Sequence, residues 1–275
     1  MEKKAYTSSF ASIYDDVMGA VPYNLWYDYL HEIMDFYNLS ANKVLDLACG
    51  TGNMSVLFAR EGYKVTGIDI SGEMLEFARD KTGQLDGEIE FVRSDLREFD
   101  IQEEYDMAFC LFDSLNYILK KEGLKSVFRN VFHSLKEDGF FIFDMNTIFR
   151  LMSIKPGTTI INGENYSCVW EDIIDKSNKL WKVRLKIYHK DTAEYYEELH
   201  QETGYKIDDV KDLLKDAGFR YIDVYSAYTF SRAGEKDNRI YFVAFKDKEP
   251  VRKKPVLVKS VKNIKLGVKR LFYQT

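Results

Sequence analysis

The chain has 275 residues, 45% hydrophobic and 30% charged, ordinary globular values that exclude collagen-like, disordered and disulfide-scaffold classes. Its net charge of −5 hides an asymmetry: from Lys246 onward ten Lys/Arg face two acids, a local +8, while the remainder carries 29 basic and 42 acidic residues, or −13. A body that acidic is a poor nucleic-acid binder, because neutralising phosphates needs a basic face, so an anionic partner is expected to meet only the tail.

Residues 1–40 predict two helices. Phe10, Ile13, Tyr14 and Val17 keep helical spacing up to Gly19, and Leu25, Tyr29, Ile33 and Phe36 form a second stripe after Pro22. Val44-Leu-Asp-Leu-Ala48 is a short, nearly continuous apolar run, the pattern of a strand buried on both faces of a parallel sheet. It runs into Cys49-Gly-Thr-Gly52, after which Met54, Leu57 and Phe58 open a helix that Gly62 closes. Lys64–Asp69 predicts the second strand, and Ser71 caps a helix carrying Met74, Leu75 and Ala78. Ile89–Val92 and Tyr105–Cys110 predict strands three and four. Leu124, Val127, Val131 and Leu135 predict a helix, and Gly139–Asp144 a fifth strand. Repeated strand–helix units with right-handed crossovers give an α/β fold: a doubly wound, Rossmann-like, seven-stranded, mostly parallel sheet with helices on both faces.

After Asn146 the rhythm changes. Tyr166–Glu171, Leu180–Tyr188 and Ala193–Glu202 show no helical period, and Trp181, Val183, Leu185 and Ile187 alternate strictly. A small inserted antiparallel β meander is expected there, on the sheet's carboxyl edge. Ile207–Lys215 returns to helix, and Tyr221–Tyr225 with Ile240–Phe245 closes the sheet. The expected organisation is N-terminal helices over 1–40, a core over 41–147 and 204–246, an inserted lid over 148–203 and a basic tail over 247–275. Pro250–Pro255 reads as a linker. Beyond it Leu257, Val261, Ile264, Val268 and Leu271 recur among lysines, the pattern of a basic amphipathic helix that docks on the body or a second copy, or meets RNA or a membrane surface.

No apolar run reaches the ~20 residues a membrane span needs, and the N-terminus lacks a secretory apolar stretch. The three cysteines, Cys49, Cys110 and Cys168, stand too far apart for a disulfide framework or zinc knuckle, so a reduced, cytoplasmic setting is expected. No cluster has metal-ligand spacing, so no metal is expected. Nothing in the sequence fixes an oligomeric state.

The chemistry concentrates where the first strand meets its Gly-x-Gly turn, at the edge where open α/β sheets bind ligands. Glycines there let bare backbone approach a ligand. Ser55, in place of a third glycine, argues against a dinucleotide. Asp46, inside the preceding strand, suits a ligand with a cationic end. Asp69, ending the next strand, is placed to accept two ribose hydroxyls, and Asp95 follows the third strand.

Leu45-Asp-Leu-Ala-Cys-Gly-Thr-Gly52, Gly67-Ile-Asp-Ile-Ser71, Ser94-Asp-Leu96 and Tyr105-Asp-Met-Ala108, in that order, resemble the motifs of class I S-adenosylmethionine-dependent methyltransferases. Phe10-Ala-x-x-Tyr-Asp15 and Phe141-Ile-Phe-Asp-Met-Asn-Thr147 are similar to the small-molecule, N-methyltransferase-like branch, which includes glycine and amino-sugar methylating enzymes. The resemblance implies S-adenosylmethionine as cofactor. It implies Asp46, Ala48 and Gly50 around the methionine moiety, Gly52 also in the cofactor site, Asp69 on the ribose, and Ile70 and Met74 against the adenine. Asp95 and Leu96 would meet the adenine edge and face, Leu111 (or Cys110) would offer a backbone carbonyl, and Tyr14 would close over the cofactor.

In-line methyl transfer draws most of its rate from alignment and desolvation, with a base needed where the acceptor arrives protonated. Tyr14, Asp113 and Asn116 are the catalytic candidates, with Tyr23, Trp26, Tyr117 and Asn146 near them. Asp113 and Asn116 serve equally as caps of a short helix at Ser114–Leu119. His200 beside Glu198 reads as a base or a satisfied structural pair, with structure favoured, and Arg239 as a ligand for an acceptor carboxylate or a partner for an acid. The expected function is methyl transfer to a small-molecule acceptor, with nitrogen favoured. A non-catalytic cofactor-binding regulator, and an enzyme acting on RNA or protein through the tail, stand as alternatives.

Overall fold

The computed structural model describes residues 5–83, 87–101 and 104–253; the amphipathic pattern beyond Pro255 lies outside the described residues. Two helices, α1 (Ser8–Val17) and α2 (Tyr23–Tyr37), precede β1 (Lys43–Leu47), α3 (Asn53–Arg60), β2 (Lys64–Asp69), α4 (Gly72–Thr82), β3 (Ile89–Arg93) and β4 (Tyr105–Cys110). A 3₁₀ turn (Ser114–Tyr117), α5 (Lys121–Ser134), β5 (Leu135–Asn146) and a short α6 (Ile148–Ser153) follow. Four consecutive strands come next: β6 (Gly157–Asn162), β7 (Tyr166–Asp175), β8 (Leu180–His189) and β9 (Glu194–Thr203). The chain closes with α7 (Ile207–Ala217), β10 (Tyr221–Ser226) and β11 (Arg239–Phe245).

The main sheet has seven strands in the order β10-β11-β5-β4-β1-β2-β3. Strands β1 to β5 pair in parallel, and β11 runs antiparallel to both β5 and β10. The winding reverses between β1 and β4, so the crevice for a ligand lies above their carboxyl ends. Leu45, Leu47, Phe141 and Phe143 pack one face of the sheet against α5 and α7. Val44, Phe109, Phe140 and Ile142 pack the other against α2 and α3.

The second sheet is antiparallel, in the order β6-β7-β8-β9. Its alternation buries Cys168, Val183, Leu185 and Ile187 against Phe10, Ile13 and Tyr14 of α1 and Met74 of α4. The inserted sheet therefore holds α1 down on the main domain.

Four details differ from the sequence expectations. Leu135 begins β5 instead of ending α5; its backbone is extended, but its side chain enters the same core, which is why it kept the helical period. The insertion has a fourth strand, β6, whose mostly exposed residues carry no alternation. The short α6 was not anticipated, although Thr147 caps it by accepting the Arg150 N–H at 3.0 Å. The segment read as a linker is docked as far as Lys253, whose N–H donates to Phe36 O at 2.8 Å, while Arg252 pairs with Asp223 at 2.8 Å. Among the described residues no helix is long and apolar enough to cross a membrane.

Candidate active site

The turn after β1 is built from left-handed residues: Ala48 (φ +56°), Gly50 (+56°) and Gly52 (+76°). A Cβ on Gly52 would lie 3.0 Å from Ala78 Cβ and 3.2 Å from Phe91, so both conformation and space require glycine. A Cβ on Gly50 would meet nothing within 4 Å, because it would project into the space above the turn. Ala48 holds a conformation that costs an L-residue roughly 1–2 kcal/mol, strain of the kind stored at functional sites.

Bent this way, the turn aims its amides. Gly50 N–H donates to Asp69 Oδ2 at 2.8 Å, and Ser71 N–H donates to Oδ1 at 2.9 Å. Both oxygens are thereby oriented, and each keeps a lone pair for a ligand hydroxyl. Burial raises the Asp69 carboxyl above its usual range, and these amides pull the other way. Asp46 is 3% exposed and takes the Ser55 hydroxyl at 2.5 Å. Burial pushes it up to about 7, against the Ser55 hydrogen bonds. A cationic group above β1 would restore its charge.

The roof is stapled at two places. Asp15 of α1 accepts from Thr51 Oγ1 (2.7 Å) and Asn53 Nδ2 (3.0 Å) and pairs with Lys81 of α4 (2.6 Å), which ties the helix to the glycine turn. Tyr14, buried one residue earlier, packs edge-on to Phe10 at 5.6 Å. Ahead of α1, the N–H groups of Tyr6 and Thr7 donate to Glu198 of β9 at 2.7 and 3.1 Å, and the Thr7 hydroxyl joins them. Ser71, beside Asp69, donates its hydroxyl to Tyr6 O at 2.9 Å. Residues 6 and 7 thus bridge the inserted sheet and the β2–α4 turn.

Beyond β4, Phe112 (φ +62°) and Asp113 (φ +50°) are consecutive left-handed non-glycines. The Asp113 side chain does not cap the 3₁₀ turn. It takes Arg239 Nη2 at 2.9 Å and the Asn146 amide instead. Arg239 also pairs with Asp144, and Asn146 reaches toward Glu202 at 3.5 Å. Burial pushes Asp144 up to about 6 against the nearby guanidinium. Burial, with Asp113 beside it, raises Glu202 well above the carboxylate range. Cys110, at the end of β4, feels Asp144, Asp46, Asp69 and Asp113 together, so the four acids converge on this edge.

The other sequence candidates fall into place around it. Asn116 is a clip: its amide donates to Asn146 O (3.0 Å) and Thr203 O (2.7 Å), and its oxygen accepts the Asn146 N–H (3.0 Å). Met74 is buried under α1, and Ile70 stands 58% exposed on the rim. Asp95 is gripped by the Arg97 side chain and by its N–H at 2.8 Å. Leu96 is buried, and the Leu111 carbonyl takes the Ser114 hydroxyl at 2.8 Å. Sequence reasoning passed over Tyr6, Thr7 and Glu202, and favoured a structural pair over a base for His200 with Glu198. Only the acidic residue two after His200, repeating the inward face of β9, signalled Glu202.

The comparisons with known proteins agree with this edge. The family described as "Methyltransferase domain" matches residues 44–139. YqeM of Bacillus subtilis (strain 168), named as a methyltransferase, is 30% identical over 87% of this chain and 96% of its own. The chain belongs to the class I S-adenosylmethionine-dependent methyltransferases. A solved S-adenosylmethionine-dependent methyltransferase from Clostridium acetobutylicum superposes on 87% of this methyltransferase and 98% of its own chain, with a TM-score of 0.76 and 28% identity. A glycine/sarcosine N-methyltransferase from Aphanothece halophytica is 26% identical over 75% of this chain and 77% of its own. S-Adenosylmethionine is accordingly the methyltransferase's cofactor, and the chain's residues suit it. Asp69, oriented by two amides, would suit a diol, buried Asp46 would suit a cation, and a Cβ on Gly50 meets nothing within 4 Å.

Proposed function

We propose that the enzyme methylates the nitrogen of a small amine. The observation that carries this reading is the stapled roof. With Tyr6 and Thr7 bound to Glu198 on one side and Ser71 on the other, the reacting edge is enclosed on a scale that suits a metabolite better than a macromolecule. Nitrogen is favoured by the acid surplus there: Asp113 and Asp144 share the Arg239 guanidinium, and Glu202 lies next to them, reached by the Asn146 amide. The likeness to a glycine/sarcosine N-methyltransferase supports the same class.

In this reading Asp69 holds the ribose hydroxyls and Asp46 the cationic methionine end. Ala48, Gly50 and Gly52 lie along the methionine moiety. Ile70, Met74, Asp95 and Leu96 border the adenine, and the second lone pair of Leu111 O takes its amino group. Tyr14 covers the cofactor, Asp113 faces the amine, and Asn116 positions Asn146. When bound, S-adenosylmethionine supplies an electrophilic methyl group on a sulfonium. The chain's part is to align the amine in line with that methyl, exclude water and accept a proton.

The test is direct. The purified protein is incubated with S-adenosylmethionine and, separately, glycine, sarcosine and an amino-sugar nucleotide, and the methylated amine is followed by mass spectrometry. Methylation of at least one amine is expected. Silence with all three, alongside transfer to RNA or protein, would overturn the reading.

A further inference from the structure

A buried hydrogen-bond chain leads away from the reacting edge, and the neutral His200 ring protonated on Nε2 gives it one direction. Glu198 is fully buried, and its carboxylate only accepts. His200 Nε2, 3.2 Å from Glu198 Oε2, therefore carries a proton, and in the neutral imidazole this leaves Nδ1 as an acceptor. The Tyr117 hydroxyl lies 3.2 Å from Nδ1 and so donates to it. Its oxygen in turn receives the Tyr6 hydroxyl at 3.0 Å. The end of the chain is Tyr6 Oη, within electrostatic reach of Asp69 and Glu202 and with no other hydrogen-bond partner among the described residues.

We propose that Tyr6, Tyr117, His200 and Glu198 form a proton relay that takes up the proton of the amine acceptor. This rests on the amine reading above. As the nitrogen lone pair forms the N–C bond, the S–C bond breaks and its electron pair stays on sulfur. The amine proton passes to Tyr6 Oη, that of Tyr6 to Tyr117 Oη, and that of Tyr117 to His200 Nδ1. The resulting imidazolium sits against the Glu198 carboxylate, whose only basic side-chain partner among the described residues is His200.

Burial raises both tyrosine hydroxyls well above their usual range, so neither rests as a phenolate; each passes a proton without holding the charge. The groups facing the chain come from every neighbouring element. Glu202 lies on β9, Asp113 after β4, Arg239 on β11 beyond Glu202, Cys168 on β7 beside Glu198, and Phe10 on α1 packs against the imidazole at 5.5 Å. Residues 6 and 7, bound to Glu198, belong to the relay and the roof at once.

His200→Gln tests the relay, because a glutamine amide can still donate to Glu198 and accept from Tyr117 but does not titrate. With whichever amine the enzyme methylates, kcat is expected to fall by about 100-fold or more. The acid limb of its pH profile should disappear, while the dissociation constant for S-adenosylhomocysteine stays within about twofold. Tyr117→Phe should lose kcat similarly. A His200→Gln enzyme with wild-type kcat and an unchanged pH profile overturns the proposal. Should no amine be methylated, the amine reading fails, and nitrogen-15 spectra of the histidines in the S-adenosylhomocysteine complex decide the relay. A neutral His200 protonated on Nε2 at pH 7, titrating to imidazolium in the folded protein, supports it. A His200 fixed as imidazolium, or protonated on Nδ1, overturns it.

Discussion

Asp46 and Asp69 lie on adjacent strands, yet only Asp69 receives a backbone amide on each oxygen. That difference gives them different tests. If Asp69 holds the ribose as proposed, Asp69→Ala removes two charge-assisted bonds of about 1.5–3 kcal/mol each. Cofactor affinity measured by calorimetry should weaken by roughly 3–6 kcal/mol, on the order of 100- to 10,000-fold. An unchanged dissociation constant would remove Asp69 from the ribose. Asp46 is pushed from 3.8 to about 7. Between those values the folded state holds a proton the unfolded state has lost, so Asp46 makes the free protein less stable as pH rises through that window. A cationic ligand reverses the preference. At pH 6, binding S-adenosylmethionine should expel a proton, visible as a heat that depends on the buffer's ionisation enthalpy, and Asp46→Asn should abolish that dependence. Proton-neutral binding by the wild type would contradict the assignment.

The elements are joined by a few polar stitches whose removal has local consequences. Asp15, Thr51, Asn53 and Lys81 tie α1 to the glycine turn. Asp15→Ala should cost only about 1 kcal/mol, since the group is partly exposed. Hydrogen exchange across residues 8–17 should nevertheless accelerate far more than in the sheet; uniform protection would show that α1 is held by apolar packing alone. Arg239 stitches β11 to β5 and the turn after β4 through Asp144 and Asp113. Arg239→Met leaves two buried carboxyls without their cation, a loss of about 3–5 kcal/mol. Unpaired, these acids bind protons more tightly folded than unfolded, so the variant should regain stability from pH 8 to pH 5. A loss that is independent of pH would place its origin in packing. The strands and most helices were legible in the sequence, because burial on both faces writes continuous apolar runs and amphipathic helices write a 3.6-residue period. Six-residue α6 and the exposed β6 are too short or too evenly solvated to write either.

At the scale of the molecule, the glycine turn, Asp46 and Asp69 were legible because they are local to a strand and its turn. The roof was not. Tyr6 and Glu198 are separated by 192 residues, and Asp113 and Arg239 by 126, so their meeting depends on where the inserted sheet and the antiparallel β11 dock. Asp113 and Asn116 illustrate the gap: sequence placed both after β4, but only the fold shows one facing Arg239 and the other consumed in a backbone clip. The acidic body and basic C-terminal segment make a further prediction. Deleting residues 254–275 should leave S-adenosylmethionine affinity and amine methylation unchanged; loss of methylation with affinity intact would make the tail part of acceptor recognition. The central claim is that the enclosed edge serves a small amine. The measurement that tests it most directly supplies methyl-labelled S-adenosylmethionine and a bacterial extract divided into metabolite, RNA and protein fractions. Label in the metabolite fraction, on nitrogen, is the predicted result; label confined to RNA or protein would contradict it.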